Sequence, residues 1–492
     1  MRNILAELPE TLDETYERIL SEIPKSNRVY AHRLLQCLTV AARPLSAEEL
    51  GEVLAVDFMA IGGIPKLKEN LRWEDQDQAL LSACSSLITV VEDEDSRVVQ
   101  FSHFSVKEFL TSDRLATSKL DASRYHHIHL KEAHTTMAQA CLSVLFHLDY
   151  DIVKESICNF PLARYAADYF GEHVEFEDVL SHIRGGVDDL LDRDKPYFAA
   201  WLWARGGYYS DNTPQQARAV PLYYVTEFGY PSLVDHLISK NPEDINTMGE
   251  DGTLLHAASL CGHIKVVELL LGHFVDVDVP NHFNETPLHL AAKRGSVEVA
   301  RKLIERNADI NTADNTGWTP LHLAMFDVWG DENLDIARFL LDHGADVDAR
   351  DHEGSTPLHA ASSTGIVKAV ELLLEHGANI HEQNKKSRTP LLHAVVLMDD
   401  TWADNYFDTI QFLLEHGADA NSQDKDHNTA LHLVVQRNCV KAARLLLEHG
   451  TSAHFQNSEG MTALQVASAK GYEELVQLLT EHLQSEEQLH SI

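Results

Sequence analysis

The sequence predicts a mainly α protein: a solenoid of about eight helix–turn–helix units, preceded by a helical region that contains a β-hairpin. The main observation is the motif T-x-L-H, which recurs along the second half of the chain, mostly at a spacing of 33 residues. Fixed self-similarity at this period indicates stacked supersecondary units that share one continuous core. The second observation is that residues 1–219 lack this period. The copies, of which those at Val220, Thr389 and Thr462 are weaker, begin at Val220, Thr253, Thr286, Thr319, Thr356, Thr389, Thr429 and Thr462.

The unit at residues 284–311 shows why the repeat uses these residue types. Thr286 is a good helix N-cap, and Pro287 is favoured at the first helical position. Gly295 ends this helix, because glycine adopts the left-handed conformation without a steric cost. A second helix follows and ends at Asn307, since asparagine is the next best left-handed residue. The apolar residues that form the stacking faces are Leu288, Ala291, Ala292, Val297, Val299, Leu303 and Ile304.

The repeated half of the chain resembles the ankyrin-repeat proteins. The segments NTGWTPLHLA, GSTPLHAAS and LLLEHGANI are near the consensus of that family, and the resemblance covers about residues 220–484. It implies a solenoid in which the histidine of each motif hydrogen-bonds the backbone between adjacent turns. A metal-binding or catalytic role is therefore not predicted for these histidines, which are His256, His289, His322, His359 and His432.

The resemblance also implies that a protein ligand binds at variable positions on the concave face. These are the turn tips one, three and four residues before the motif threonine, and the first-helix positions seven and eight after it. The residues predicted to bind the ligand are Phe283, Lys293, Arg294, Trp318, Phe326 and Arg388. Phe283, Trp318 and Phe326 lie in adjacent units, and aromatic and arginine residues dominate binding hot spots. The alternative is that Trp318 only packs on its own turn.

Two insertions interrupt the period, where the spacing is 37 and 40 residues instead of 33. Both fall between the paired helices of a unit, at Val328–Asp331 and at Met398–Asp404. Each contains a tryptophan, Trp329 or Trp402, among acidic residues. They are predicted to be neutral surface variation rather than a contact for a basic partner, because loop insertions cost little.

The first half predicts a winged-helix-like domain. Helices are expected from about Leu8, over Tyr30–Ala41, and after Ser46, where Glu49 completes a capping box. Two strand-like stretches joined by an acidic turn follow, and three helices before a hairpin are typical of a winged helix. The predicted domains are a winged-helix-like domain, a helical segment with a junction, the repeat solenoid and a C-terminal tail, at residues 1–120, 121–219, 220–484 and 485–492.

This half resembles the segment that follows the NTPase module in fungal NACHT–ankyrin proteins, which are NOD-like, STAND-class signalling proteins. The matching segments are LPETLDETYERIL, RPLSAEEL, FSHFSVKEFL and DKPYFAAWLW. The resemblance implies that His103, in the motif F-x-H-x-x-x-x-E-F, is a nucleotide sensor. The chain contains no G-x-x-x-x-G-K-[ST] phosphate loop, however, so His103 is a vestigial sensor. We expect either a fragment of a longer protein or a truncated relative.

Composition excludes several classes of function. A net charge of −36 disfavours nucleic acid as a partner. The six cysteines have no paired spacing, which suits free thiols in a reducing compartment, and no apolar run is long enough to span a membrane. A cytoplasmic protein without membrane contact is predicted. The loose histidine cluster His126, His127, His129 and His134, expected on a helix, lacks convincing metal-ligand spacing.

The sequence therefore predicts a non-enzymatic protein–protein interaction scaffold without a cofactor or a metal. Its N-terminal half would dock on a partner such as a NACHT NTPase domain. The alternative is the regulatory or sensor half of a STAND-class NTPase whose nucleotide-binding domain is missing from this chain. Binding of DNA through the winged helix is disfavoured by the negative charge.

Overall fold

The computed structural model describes residues 12–58, 65–68, 84, 86–93, 96–148, 157–205, 220–326, 331–397 and 403–490. The chain divides into two compact units, Met1–Thr247 and Met248–Ile492. The fold class predicted from the sequence, a mainly helical chain with helix–turn–helix repeats, is confirmed.

The first unit begins with three helices and a small sheet. The elements are α1 (Leu12–Glu22), α2 (Arg28–Val40), β1 (Leu45–Ser46), α3 (Ala47–Leu54), β2 (Val56–Asp57), β3 (Lys66–Leu67), β4 (Ile88–Asp93) and β5 (Ser96–Phe101). Ser46 caps α3, because its side chain accepts from the Glu49 N–H and the Glu49 carboxylate accepts from the Ser46 N–H. The predicted capping box and hairpin are therefore present.

The hairpin belongs to a three-stranded antiparallel sheet in the order β1-β5-β4. Strand β1 is only two residues long and pairs Leu45 with Val99. The sequence predicts the hairpin but not β1, because two residues carry no alternation of apolar and polar side chains. The short strand β1 ties the start of α3 to the hairpin, as a winged helix requires.

Helices complete this unit. They are α4 (Phe104–Leu110), α5 (Asp113–Ala116), α6 (Asp121–Arg124), α7 (Leu130–Leu145), α8 (Leu162–Val174), α9 (Val179–Leu190), α10 (Pro196–Ala204), α11 (Pro221–Glu227) and α12 (Pro231–Lys240). Helix α7 packs against α2, α8 and α9 and buries Met137, Cys141 and Leu145 completely. The buried Trp201 of α10 donates its indole N–H to the carbonyl of Ala167, 2.9 Å away.

The second unit is a stack of helix pairs. The first helices of the pairs are α13 (Leu254–Cys261), α15 (Pro287–Arg294), α17 (Pro320–Phe326), α19 (Pro357–Thr364), α21 (Pro390–Leu397), α23 (Ala430–Gln436) and α25 (Ala463–Lys470). The second helices are α14 (Ile264–Gly272), α16 (Val297–Glu305), α18 (Asp331–Asp342), α20 (Val367–Glu375), α22 (Ala403–Glu415), α24 (Val440–Glu448) and α26 (Glu473–His490). Neighbouring first helices pack on one another through fully buried leucines such as Leu288 and Leu321.

The stop signals read from the sequence act as expected. Gly295 ends α15 at φ 78°, and Asn307 follows α16 at φ 64°. Phe274 takes the equivalent left-handed position after α14, at φ 57° with 91% of its surface exposed. A bulky aromatic residue in this conformation carries backbone strain that glycine would not.

The motif histidine joins one repeat to the next. In the unit at Thr286, His289 Nδ1 accepts from the Thr286 N–H at 3.0 Å, and His289 Nε2–H donates to the Trp318 carbonyl at 3.1 Å. The equivalent bonds run from His256, His322, His359 and His432 to the carbonyls of Glu285, Ser355, Arg388 and Met461. The structural role implied for these histidines is confirmed.

Both predicted insertions lie largely outside the described residues. Trp329 and Trp402 fall in residues 327–330 and 398–402, which follow α17 and α21. The predicted junction after Arg205 lies outside them as well.

Candidate functional site

The motif residues are buried in the stack, so a binding surface must come from the exposed side chains around them. We define the first-helix face as the exposed and half-buried side chains of α13, α15, α17, α19, α21, α23 and α25, together with those of the turn tips that precede these helices. All six residues predicted to bind a protein ligand belong to it.

A cavity of about 240 Å³ lies on this face across three consecutive units. Its apolar wall is built by Trp318, Phe326 and Leu397. The Trp318 and Phe326 rings meet edge to face with 5.0 Å between their centroids. Phe326 remains 53% exposed and Leu397 42% exposed, so both side chains are accessible from solvent.

Trp318 is held in place by hydrogen bonds and by stacking. Its indole N–H donates to Asp351 Oδ2 at 3.1 Å, and its ring stacks on His322 with 6.1 Å between the centroids. Asp351 Oδ1 also accepts the backbone N–H groups of Glu353 and Ser355. The Asp351 carboxylate is therefore engaged within the turns by three hydrogen bonds.

Two polar side chains of the cavity lack hydrogen-bond partners. The Nε of Arg388 and the Nδ1 of His393 are both buried, and neither has a partner among the described residues. The Arg388 backbone is fixed, because Asn384 Oδ1 accepts its N–H and His359 donates to its carbonyl. A buried donor without an acceptor carries a desolvation penalty, so these atoms are suited to a ligand that supplies one.

His393 owes its position to a change in the motif. The unit at Thr389 reads T-P-L-L-H, so Leu392 takes the place of the bridging histidine and His393 follows one residue later. One residue along a helix is a rotation of about 100°, which turns this side chain away from the bridge to the next turn. Burial, and secondarily His359 and Arg388, lower the pKa of His393 to about 4, so this imidazole is neutral at pH 7.

The structure brings together three of the six predicted ligand-binding residues. Trp318, Phe326 and Arg388 line the cavity. Phe283, Lys293 and Arg294 are exposed but do not line it, although Phe283 is 65% exposed in the neighbouring turn. The predicted packing of Trp318 on its own turn is also present, through His322.

The sequence analysis missed His393 and Asp351. For His393 the sequence contains a signal that could have identified it, the displaced histidine of T-P-L-L-H. For Asp351 the sequence contains a signal as well, because Asp or Asn stands five residues before the motif threonine in several units, as at Asp314, Asp351 and Asn384. These side chains accept the backbone N–H groups two and four residues later and so shape each turn tip.

Charge is divided between the two layers of helices. Within the bounds given above, no first helix of the second unit contains an aspartate or a glutamate, whereas every second helix contains at least one. On the second helices several cations are paired, as in Lys302–Glu268 at 3.0 Å and Arg338–Glu375 at 3.9 Å. On the first-helix face, the cations without an ion-pair partner among the described residues include Lys293, Arg294, Lys386, Arg388 and Lys425.

His103, the proposed vestigial nucleotide sensor, is exposed at the start of α4. Its Nδ1 caps this helix by accepting from the Ser105 N–H at 3.3 Å and lies 2.7 Å from the Ser105 hydroxyl. Its ring lies 4.4 Å from that of Phe104, which is 74% exposed.

The prediction that the histidine cluster lies on one helix is wrong. His126, His127 and His129 lie before α7 rather than on it, because the Ile128 N–H is bound to the Leu110 carbonyl of α4 instead of continuing a helix. His134 of α7 instead lies 3.0 Å from His173, which contacts the Tyr165 hydroxyl at 2.9 Å. In the described part of the chain, no three His, Cys, Asp or Glu side chains form a group suited to a metal.

Comparison with known proteins agrees with this architecture. The family of ankyrin repeats (3 copies) matches residues 222–314, 266–351, 328–401 and 397–488, which together cover more than half of the chain. The chain belongs to the ankyrin-repeat proteins. The winged helix domain described for GPI inositol-deacylase matches residues 17–120, in front of the repeats.

The proteins similar to this chain include a curated relative and a solved structure. Azaphilone pigments biosynthesis cluster protein L of Monascus ruber is 33% identical over 300 residues, which are 56% of this chain and 61% of that protein. The match thus spans less than two thirds of the relative. The human ASB11 ankyrin repeat domain is 26% identical over 45% of this chain and 96% of that chain, with a TM-score of 0.40.

Ankyrin repeats generally bind protein partners, and their fold is typically non-catalytic. The repeats therefore support an interaction scaffold. None of the helices within the described ranges is long and apolar enough to cross a membrane.

Proposed function

We propose that this chain is a non-enzymatic scaffold that binds a protein ligand on the first-helix face, which is the concave face of an ankyrin solenoid spanning residues 220–484. The observation that carries the proposal is the cavity in which Trp318, Phe326 and Arg388 converge. Aromatic and arginine side chains in a partly enclosed pocket are the usual centres of binding energy. The unpaired cations of the same face provide charges with which acidic side chains of a partner would pair.

The test is capture of partners from an extract of the source cells on the immobilised full-length chain, followed by mass spectrometry. Phe326→Ala should reduce capture of the main partner at least roughly tenfold, because it removes one wall of the cavity. The side chain is half exposed, so the thermal midpoint should stay nearly unchanged. Trp318→Ala should act in the same direction. Undiminished capture by both variants would contradict the proposal.

A second proposal concerns the N-terminal half. It is that residues 1–120 dock on a nucleotide-binding domain of the NACHT class, with His103 facing the nucleotide. Its support is the winged helix in front of the repeats and the exposed pair His103 and Phe104. The genomic sequence upstream of Met1 tests it: an in-frame coding stretch for a phosphate-binding loop would support it. A stop codon directly upstream, together with no co-purifying NTPase, would contradict it.

A further inference from the structure

The cavity on the first-helix face has room for one side chain. Pockets for drug-sized ligands measure roughly 300–1,000 Å³, and this cavity measures about 240 Å³. Trp318, Phe326 and Leu397 form an apolar wall on one part of the lining, and this wall favours an apolar side chain.

A buried donor of the cavity is unused, whereas the Glu353 carboxylate, which also lines the cavity, is exposed to solvent. The oxygens of Asp351 already accept from Trp318 and from two backbone N–H groups. Asn384 Oδ1 is likewise used by the N–H groups of Lys386 and Arg388. By contrast, the Arg388 Nε–H has no acceptor in the described part of the chain. A carboxylate from a ligand would remove this penalty and form a charge-assisted hydrogen bond.

The charges distinguish between two possible occupants. The aromatic pair Trp318 and Phe326 would also attract a cation through its ring faces. Two carboxylates line the cavity, however: that of Asp351 is already engaged, and that of Glu353 is exposed to solvent. Arg388 and Lys386 have no ion-pair partner among the described residues, and the Arg388 Nε–H is buried without an acceptor. An acidic ligand therefore complements this site better than a basic one, even though the chain as a whole carries a charge of −36.

Building on the proposed function, we propose that this cavity takes one bulky apolar side chain from an internal segment of a protein partner. An acidic side chain next to it in the same segment binds Arg388 and Lys386. The partner is thus recognised by an apolar–acidic pair of residues rather than by a basic segment.

A random dodecapeptide library displayed on phage tests the chemistry directly. It is selected on the immobilised full-length protein and counter-selected on the double variant Phe326→Ala/Arg388→Leu. We expect the enriched peptides to combine an aromatic or large aliphatic residue with a neighbouring Asp or Glu. Enrichment of Lys- or Arg-rich peptides, enrichment of peptides that bind the double variant equally well, or no enrichment would each overturn the proposal.

Single variants then assign the roles by fluorescence polarisation with the most enriched peptide. Arg388→Leu should weaken binding roughly tenfold or more, since a buried charge-assisted hydrogen bond is lost. Arg444→Leu removes the same charge from an exposed site on α24 and should change binding less than about twofold. Glu353→Gln removes the negative charge beside the cavity and should leave binding equal or tighter. Weaker binding by Glu353→Gln, or equal losses at Arg388 and Arg444, would overturn the proposal.

The outcome is separable from that of the proposed function. If cellular partners are captured on the first-helix face but bind Arg388→Leu as well as the unchanged chain, the scaffold proposal stands and the apolar–acidic recognition fails. If capture of the partners is unchanged by every substitution on that face, the scaffold proposal itself fails.

Discussion

At the scale of single residues, the histidine of T-x-L-H has two tasks. Its Nδ1 fixes the start of one helix, and its Nε2–H binds the carbonyl of the following turn, as His289 does between Thr286 and Trp318. Because a carbonyl only accepts, Nε2 must carry a proton. Because Nδ1 accepts the backbone N–H, it carries none, and the imidazole is neutral. Where leucine replaces this histidine, at Leu392, the bridge is lost and the neighbouring His393 faces the cavity.

The first prediction concerns this bridge. His289→Leu should lower the free energy of unfolding by about 1–3 kcal/mol, because the buried Thr286 N–H and the Trp318 carbonyl lose their partner. Chemical denaturation followed by circular dichroism measures the change. His282→Leu, on an exposed turn-tip histidine, is the matched control and should change stability by less than about 0.5 kcal/mol. Equal effects of the two variants would show that the bridge is not stabilising.

The second prediction concerns Phe274, which combines a left-handed backbone with an almost fully exposed ring. Phe274→Gly should raise the free energy of unfolding by about 1 kcal/mol, because the conformational strain is removed and little buried surface is lost. Asn307→Gly, at the equivalent position of the next unit, should have a much smaller effect, since asparagine tolerates this conformation. A lower thermal midpoint for Phe274→Gly would indicate that the ring makes a stabilising contact.

At the scale of secondary-structure elements, the stop and start signals of each helix are local and readable. Thr286, Pro287 and Gly295 set the bounds of α15 through hydrogen bonds and φ angles that involve neighbouring residues. Close packing between elements depends instead on residues far apart in the sequence. Gly171 of α8 shows this, because a Cβ atom there would overlap the Tyr230 ring.

The third prediction follows from this contact. Gly171→Ala should lower the free energy of unfolding by about 1–3 kcal/mol, since the Tyr230 ring must move and its hydroxyl is held by Arg205. Gly185→Ala, in the middle of α9 with no atom near the added methyl group, should instead be neutral or stabilising by up to about 1 kcal/mol. Differential scanning calorimetry of both variants measures this contrast. A destabilised Gly185→Ala with an unaffected Gly171→Ala would contradict it.

At the scale of the whole molecule, buried histidines couple the fold to pH. Burial lowers the pKa of His256, His289, His322 and His359, and it lowers the pKa of His134 to about 4. A histidine whose pKa is lower in the folded chain binds fewer protons there than in the unfolded chain. Its contribution to stability is complete above the usual value of about 6.5 and declines as the pH falls toward the folded pKa.

The fourth prediction is therefore a loss of stability in mild acid. Between pH 7.5 and pH 5, the thermal midpoint should fall by at least about 5 °C, because several histidines each oppose protonation. The measurement needs about 0.5 M salt, since acid also reduces the self-repulsion of a chain with a net charge of −36 and would mask the effect. A thermal midpoint that does not change over this range would mean that these histidines titrate normally in the folded protein.

The sequence by itself determined the class of fold, the position of most repeat helices and the structural role of the motif histidines. These features rest on caps, stop signals and apolar periodicity that act within a few residues and return with every unit. The same local signals predicted the capping box at Ser46 and Glu49 and the hairpin behind it.

Only the tertiary structure decided which candidate residues lie together. Trp318, Phe326 and Arg388 share a cavity because stacking brings together residues about 70 positions apart, whereas Phe283, Lys293 and Arg294 lie outside it. The unpartnered Nε of Arg388 and Nδ1 of His393 could also be found only in the tertiary structure. Whether such an atom has a partner depends on which neighbouring groups are already hydrogen-bonded elsewhere. Local sequence fixes a repeat, and the packing of repeats fixes the chemistry of the surface between them.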